Sequence, residues 1–365
     1  MPNPLTSSDT PHALGYHLPA EWEPHETTWI SWPHNREDWP DRFGPIPWVY
    51  VDFVRQLALA EPVSILIRSG KLERQATELL DRAGVPLDQV RFVRARTNRS
   101  WTRDFVPSFV VNPGLITEPT AIVAWKFNGW AKYDNHQHDA QIPKRLAKHL
   151  TLRRFVPEIE VEGSTHHAVL EGGAIDSNGL GTLLTTEECL LSTQQERNPG
   201  LDREAYERLL FDQLGIRRVI WLGRGIEGDD THGHVDDLAR FVGPKTVVTV
   251  VENDPDDPNY PHLLENLKRL EAATDQDGEP LEVVTLPMPR PVVFEGQRLP
   301  ASYANFYIAN GLVLVPTFND PADRTALDIL SRLFPDRTVS PVYARDLVWG
   351  LGTLHCMTHE QPAAR

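Results

Sequence analysis

Apolar and polar positions alternate along this chain in short runs, and the runs recur. Residues 109–111 and 121–127 read as two strands joined through Asn112-Pro113-Gly114. A second pair starts at Glu171-Gly172-Gly173, turns at Asn178-Gly179 and leaves through residues 182–185. A third starts at His234-Val235-Asp236-Asp237, turns at Gly243-Pro244 and leaves through residues 246–251. A fourth starts near Ser302-Tyr303, turns at Asn310-Gly311 and leaves through residues 312–316. Asn-Gly between apolar alternations is a strong hairpin signal, because both residues accept the backbone of a tight turn. After each hairpin the apolar period lengthens to that of a helix. This predicts helices over 137–150, 203–214, 262–270 and 324–334. A short strand follows each of them, over 154–160, 217–222, 281–286 and 338–342. The N-terminal region supplies a less regular fifth set, with strands at 28–32 and 64–68 and helices at 48–60 and 72–83.

Five hairpin–helix–strand units share the 365 residues, about 73 apiece. A unit of that size cannot bury both faces alone, so the units must pack on one another. The expected fold is α/β, a closed five-bladed pseudo-symmetric α/β propeller. It forms a single domain over 1–365, with 1–18 as a loose N-terminal segment. An α+β sandwich with unrelated hairpins is the competing architecture. In the propeller, the polar residues that open each hairpin converge on the axis.

Composition narrows the partners. Lys and Arg number 36 against 51 Asp and Glu, a net charge of −15. That balance argues against a general nucleic-acid binder or a polybasic membrane-surface protein, and is compatible with a small cationic ligand. No apolar run reaches the roughly 20 residues of a membrane span, and no signal peptide is visible near the N-terminus. Two cysteines, Cys189 and Cys356, cannot form a disulfide framework. The expected location is therefore cytoplasmic, and self-association is left open.

The hairpin-opening positions carry unusual chemistry. Asp104 stands in Trp101-Thr102-Arg103-Asp104, Glu171 precedes two glycines, and His234 and Asp236 share Gly233-His234-Val235-Asp236-Asp237. Cys356 follows Gly350-Leu351-Gly352-Thr353 near the chain end. A cysteine and a histidine can serve as nucleophile and proton partner. Several carboxylates in one site repel unless a cation lies among them. A guanidinium is planar, permanently charged and bonded bidentately by carboxylates. Together these residues read as a site for attack on a guanidinium carbon. Each also has a plainer role: Asp104 as an ion-pair partner of Arg103, Glu171 as a turn acid, Asp236 and Asp237 as turn caps. Cys189, between Glu188 and Leu190, reads as core packing. His232, His234 and Asp236 at alternate positions resemble the start of a metallohydrolase ligand set, but Asp237 stands where the next His would be. Trp101, Trp125 and Trp130 read as core or rim residues able to stack a planar cation.

These stretches also resemble a known family. Trp101-Thr102-Arg103-Asp104, Ala124-Trp125-Lys126-Phe127-Asn128-Gly129-Trp130, Arg197-Asn198-Pro199, Gly233-His234-Val235-Asp236-Asp237 and His355-Cys356-Met357-Thr358 stand in family-like order. So does the opening Pro19-Ala20-Glu21-Trp22-Glu23-Pro24-His25-Glu26. The chain is similar to the agmatine deiminases, relatives of the Porphyromonas-type peptidylarginine deiminases in the guanidine-modifying pentein superfamily. The resemblance implies the five-bladed fold, Cys356 as nucleophile, His234 as general acid and base, and Glu171 as its carboxylate partner. It implies that Asp104 and Asp236 hold the guanidinium, that Trp101 lines the channel, and that Asp230 contacts the far amine. It implies no metal and no organic cofactor. Two stretches depart from the family: Gly350-Leu351-Gly352-Thr353, where a run of glycines is usual, and His359-Glu360, where Gln-Gln is common.

The expected reaction is hydrolytic deimination through a covalent amidino intermediate on Cys356. Agmatine would give N-carbamoylputrescine and ammonia. Free or peptidyl arginine is the rival substrate. A metal-dependent hydrolase and a non-catalytic binding protein on the same scaffold are the rivals from other classes.

Overall fold

The computed structural model describes residues 3–4, 9–161 and 163–363. Four stretches of the chain build the same sheet. Ser108–Val111 runs antiparallel to Thr120–Val123, which, after the helix Ile142–Leu150, pairs parallel with Arg153–Phe155. Asp176–Ser177, Thr182–Thr186 and Arg218–Leu222 repeat this around the helix Arg203–Leu214. Ala239–Phe241, Thr246–Val251 and Glu282–Pro287 do so around Asn259–Glu271. Tyr307–Ala309, Leu312–Thr317 and Thr338–Tyr343 do so around Ala322–Leu333.

The fifth sheet explains why the N-terminal set looked irregular. His25–Ser31, Val63–Ile67 and Val90–Arg94 are parallel, with the helices Ile46–Leu57 and Gly70–Arg82 between them. Their antiparallel partner comes from the far end of the chain, as His359–Pro362 pairs with His25–Ser31. The missing half of the first hairpin is thus the last strand of the protein.

Local chemistry fixes these boundaries. The Ser69 hydroxyl accepts from Leu72 N, and the Asp202 carboxylate accepts from Ala205 N, capping two helices. Gly215, at φ 74°, ends the second of these in a left-handed turn. Central strands such as Val63–Ile67 and Thr120–Val123 are buried along their whole length, as parallel strands covered on both faces must be. Two apolar clusters result. The larger draws on all five sheets, and a smaller one around Phe155, Leu183, Tyr206 and Leu210 underlies the two sheets built from Ser108–Phe155 and Asp176–Leu222.

The structure corrects several expectations. The segment 154–160 is two strands, because Pro157 lacks an N–H for the ladder; Glu158–Val161 pairs instead with Ser164–His167. The first helix of the hairpin units starts at Ile142, with Pro143 in its first turn, rather than at 137. Residues 9–18 are not loose. Tyr16 is buried, His17 bridges to Val111, and Leu18 N donates to Leu214 O. Residues 1–2 and 5–8 of that expected segment lie outside the described residues. Among the described residues no strand ladder joins one of the five sheets to another, so strand pairing does not by itself make the closed ring. Among the described residues, no helix is long and apolar enough to cross a membrane.

Candidate active site

Each of the five sheets begins with an antiparallel strand, and chemically distinctive residues stand just before all five. Asp104 precedes Ser108–Val111, Glu171 precedes Asp176–Ser177, and Asp236 precedes Ala239–Phe241. Asn305 precedes Tyr307–Ala309, and Cys356 precedes His359–Pro362. The side chains meet. Cys356 Sγ lies 3.8 Å from Asp236 Oδ2, and Asn305 Nδ2 approaches the sulfur at 3.1 Å. His234 Nδ1 is 3.8 Å from Asp104 Oδ1 and 4.0 Å from Asp236 Oδ1, while its Nε2 is 3.9 Å from Glu171 Oε2. Glycine lets these groups come this close. A Cβ on Gly173 would stand 2.5 Å from His234 Nδ1 and 3.0 Å from Asp104 Oδ1.

The carboxylates are held differently. Asp104 accepts from Trp130 Nε1 at 2.8 Å and from Gly173 N at 3.0 Å. Glu171 is fully buried against Arg197, whose Nε donates to both its oxygens at 3.1 and 3.3 Å. Asp236 Oδ2 takes His355 Nδ1 at 2.7 Å, whereas the buried Oδ1 has no hydrogen-bond partner. Asp237 accepts from Asn305 Nδ2 at 3.0 Å.

Electrostatics follow from burial among like charges. Burial pushes the Asp104 carboxyl up to about 6, with Asp236 and Glu171 adding to it against the pull of His234. Burial would also raise Glu171, but Arg197 and His234 outweigh it and hold the group down at about 2. Burial alone would lower the His234 imidazole, but Asp104, Cys189 and Glu171 outweigh it and lift the group well above its ordinary value. Burial, with Asp236, Asp237 and Asp104 beside it, pushes the Cys356 thiol well up. Asp104, Asp236 and Asp237 thus crowd the thiol with acidic groups.

A cavity of about 400 Å³ opens onto this cluster. Cys356, Asp104, Trp101 and Trp130 line it, as do Asp230 and Gly352. Glu37 and Asp38 add acidic groups, and the lining cation Arg99 is already bonded to Asp38 at 2.8 Å and Asn135 at 2.9 Å. Leu351 takes a left-handed φ of 67° on the cavity wall.

Of the seven expected site residues, Cys356, His234, Glu171, Asp104 and Asp236 stand in this cluster, and Trp101 stands on the cavity wall. Asp230 also faces the cavity, but both its oxygens are engaged, one by Tyr133 Oη at 2.7 Å and the other by Lys132 Nζ. The Arg103–Asp104 pair does not form, because Arg103 turns away to Glu21 at 3.0 Å and Glu360 at 2.8 Å. Trp125 also leaves the site and donates to Ser108 Oγ. The alternate His232, His234 and Asp236 are not a ligand set. His232, at φ 66°, points to Ser192 Oγ at 3.1 Å. A different cluster, Glu171, Cys189 and His234, has donor atoms within 4.8 Å of one another. The Arg197 guanidinium already on Glu171 opposes a second cation there. Cys189 is buried in the apolar core as expected, yet it also backs the imidazole. Sequence reasoning missed Asn305, Arg197 and the bonds of His355. Arg197 and His355 stood in quoted motifs, while Asn305 stood two residues past the expected start at Ser302-Tyr303.

Residues 17–362 match the family described as Porphyromonas-type peptidyl-arginine deiminase. The chain belongs to that family. It is 36% identical to the agmatine deiminase of Ectopseudomonas mendocina, with 98% of each chain covered. The solved agmatine deiminase of Enterococcus faecalis superposes with a TM-score of 0.88 at 30% identity over 100% of both chains. A substrate-bound Cys-to-Ser agmatine deiminase from C. jejuni superposes at 0.82, with 27% identity and 95% and 96% of the two chains covered. An amidinotransferase of Microseira wollei, at 11% identity and 0.51 with 96% and 99% covered, shares the pentein fold alone.

Proposed function

We propose that this protein is a hydrolase of C–N bonds in linear amidines, converting agmatine and water to N-carbamoylputrescine and ammonia. One observation carries the reading: a thiol, an imidazole and two carboxylates meet at the cavity floor, where acidic groups crowd the sulfur. Asp104 and Asp236 clamp the guanidinium, and the unpartnered Asp236 Oδ1 receives one of its N–H groups. The arriving cation offsets the acids that push the Cys356 thiol up, so the thiol loses its proton to solvent once substrate is bound. The thiolate attacks the guanidinium carbon. The protonated His234 gives its proton to a departing amino group, and ammonia leaves. An S-amidino intermediate stays on Cys356. His234 then takes a proton from the water that attacks the same carbon. Collapse expels the thiolate, and the proton lost from the new hydroxyl is taken up by the released ammonia. As the product leaves, the thiolate regains its proton from solvent, giving the ureido compound, ammonium and the starting enzyme.

Agmatine is favoured over arginine because the cavity wall is acidic and Arg99 is already paired. A free α-carboxylate would meet repulsion and find no open cation among the lining residues. The agmatine deiminases among the relatives support the same choice. The reactive thiol also needs a reducing compartment, consistent with the cytoplasm. Ammonia release from agmatine, free arginine and a blocked arginine peptide tests the reading. Agmatine is expected to lead the others by at least about 10²-fold in kcat/KM. Equal or faster release from arginine would overturn the choice of substrate.

A further inference from the structure

His355 stands next to Cys356 in the chain but does not face the cavity. Its ring spans two carboxylates, with Nδ1 on Asp236 Oδ2 at 2.7 Å and Nε2 on Glu21 Oε2 at 2.8 Å. Carboxylate oxygens only accept, so each bond needs a ring N–H. Glu21 is itself immobilised. Arg103 reaches it at 3.0 Å, Arg240 at 2.8 Å, and Ile308 N donates to it at 2.8 Å. The backbone of His355 is fixed as well, its N–H donating to Asn305 Oδ1 at 3.0 Å and its C=O accepting from Arg103 Nε at 3.3 Å. The ring is therefore a rigid strut between a fixed anchor and Asp236.

We propose that His355 is a positioning residue: by occupying Oδ2 of Asp236 it aims the free Oδ1 at the guanidinium. The consequence is visible in the unequal state of the two oxygens. Oδ2 is satisfied and lies 3.8 Å from the sulfur, while Oδ1 is buried, faces His234 at 4.0 Å, and has no donor. A carboxylate free to rotate would exchange these roles and lose the in-line placement of the carbon over Cys356. The proposal rests on the reading of Asp236 as part of the guanidinium clamp.

The two amide residues separate the two ends of the strut. His355→Asn keeps a donor near the Nδ1 position and can still bond Asp236. His355→Gln keeps a donor near Nε2 and bonds only Glu21. The readout is the ratio of Cys356 inactivation rates by a haloacetamidine, which is cationic, and by neutral iodoacetamide. Agmatine KM and kcat are measured alongside. Wild type is expected to prefer the cationic reagent. His355→Gln should lower that ratio at least about tenfold and raise KM more than it lowers kcat, whereas His355→Asn should stay within about threefold of wild type. Equal losses in both variants, or better retention by the bulkier Gln, would mark a merely structural ring and overturn the proposal. If His355→Gln does not fold, the Asn variant decides alone: loss of the cationic preference in a folded His355→Asn protein rejects the strut. A wild type without cationic preference would instead strike at the clamp reading of Asp236 itself.

Discussion

The two sides of His355 treat buried charge in opposite ways. Behind it, Glu21, Arg103, Arg240 and Glu360 form a compensated network. Burial would raise Glu21, but Arg240, His355 and Arg103 hold it well below the usual carboxylate range. Glu360 is likewise lowered, as Arg103, His359 and His25 together outweigh burial. In front, Asp104 rises to about 6, Asp237 rises further through burial and the neighbouring Asp236 and Asp229, and the Cys356 thiol is pushed up. The rear acids are supplied with cations by the fold. In front, Arg197 serves Glu171 and His355 serves Asp236, while Asp104 and Asp237 share only the His234 imidazole, and a guanidinium would supply the remaining counter-charge. Stability and recognition are thus separated by a single ring: paired charge fixes the chain ends, and unpaired charge waits for a guanidinium.

The largest expected effect lies at the front. Cys356→Ser should lower kcat by about 10⁴-fold or more while leaving agmatine binding measurable by calorimetry. Intact-mass spectrometry during turnover should show the amidino adduct on wild type and none on the variant; turnover near wild type in the serine protein would end the covalent scheme. At the rear, Arg240 is fully buried and bonded to Glu21 at 2.8 Å and to Asp176. Arg240→Leu strands two carboxylates and should cost roughly 3–5 kcal/mol in a urea unfolding series. Asp104→Asn is the matching change in front. It should lower kcat/KM about 10²-fold yet leave stability unchanged or about 1 kcal/mol higher. If both variants lose stability alike, the contrast between front and rear fails.

The smallest effect is one of pH. Because the folded Asp104 carboxyl sits at about 6, above its ordinary value, it takes up a proton as pH falls through 6. The free enzyme then loses one arm of its clamp, so kcat/KM should fall on the acid side near pH 6. Bound cation favours the ionised carboxylate, so the acid limb of kcat should lie lower. The sign for stability is opposite: a raised carboxyl weakens the fold above pH 6, and that penalty fades as pH drops. In Asp104→Asn the limb near 6 should disappear from a stopped-assay pH profile, and its persistence there would assign it to another group.

Much of this was legible before any coordinates. The change from hairpin to helical period located the repeated units, because an alternating face and a helical stripe leave different marks on a sequence. Cys356, His234, Glu171, Asp104 and Asp236 were legible as reactive types at matching places in the repeat. Asn305 was not, since an amide has no chemistry that stands out until it meets a sulfur at 3.1 Å. Asp230 looked like a free acid, and the packing of Tyr133 and Lys132 engaged it. Arg103 looked like the partner of its chain neighbour. A short helix, Thr102–Phe105, turned it the other way, toward Glu21.

The sequence by itself determined the units, their turns and the kinds of group that open them, because these depend on neighbours within a few residues. Tertiary structure decided which of those groups carry a counter-charge. It paired the last strand with His25–Ser31 and brought Glu21 to His355 across more than three hundred residues of chain. It also left Asp236 Oδ1 without a donor. Partnership between charges is set by distance and burial, and neither is written in the order of residues.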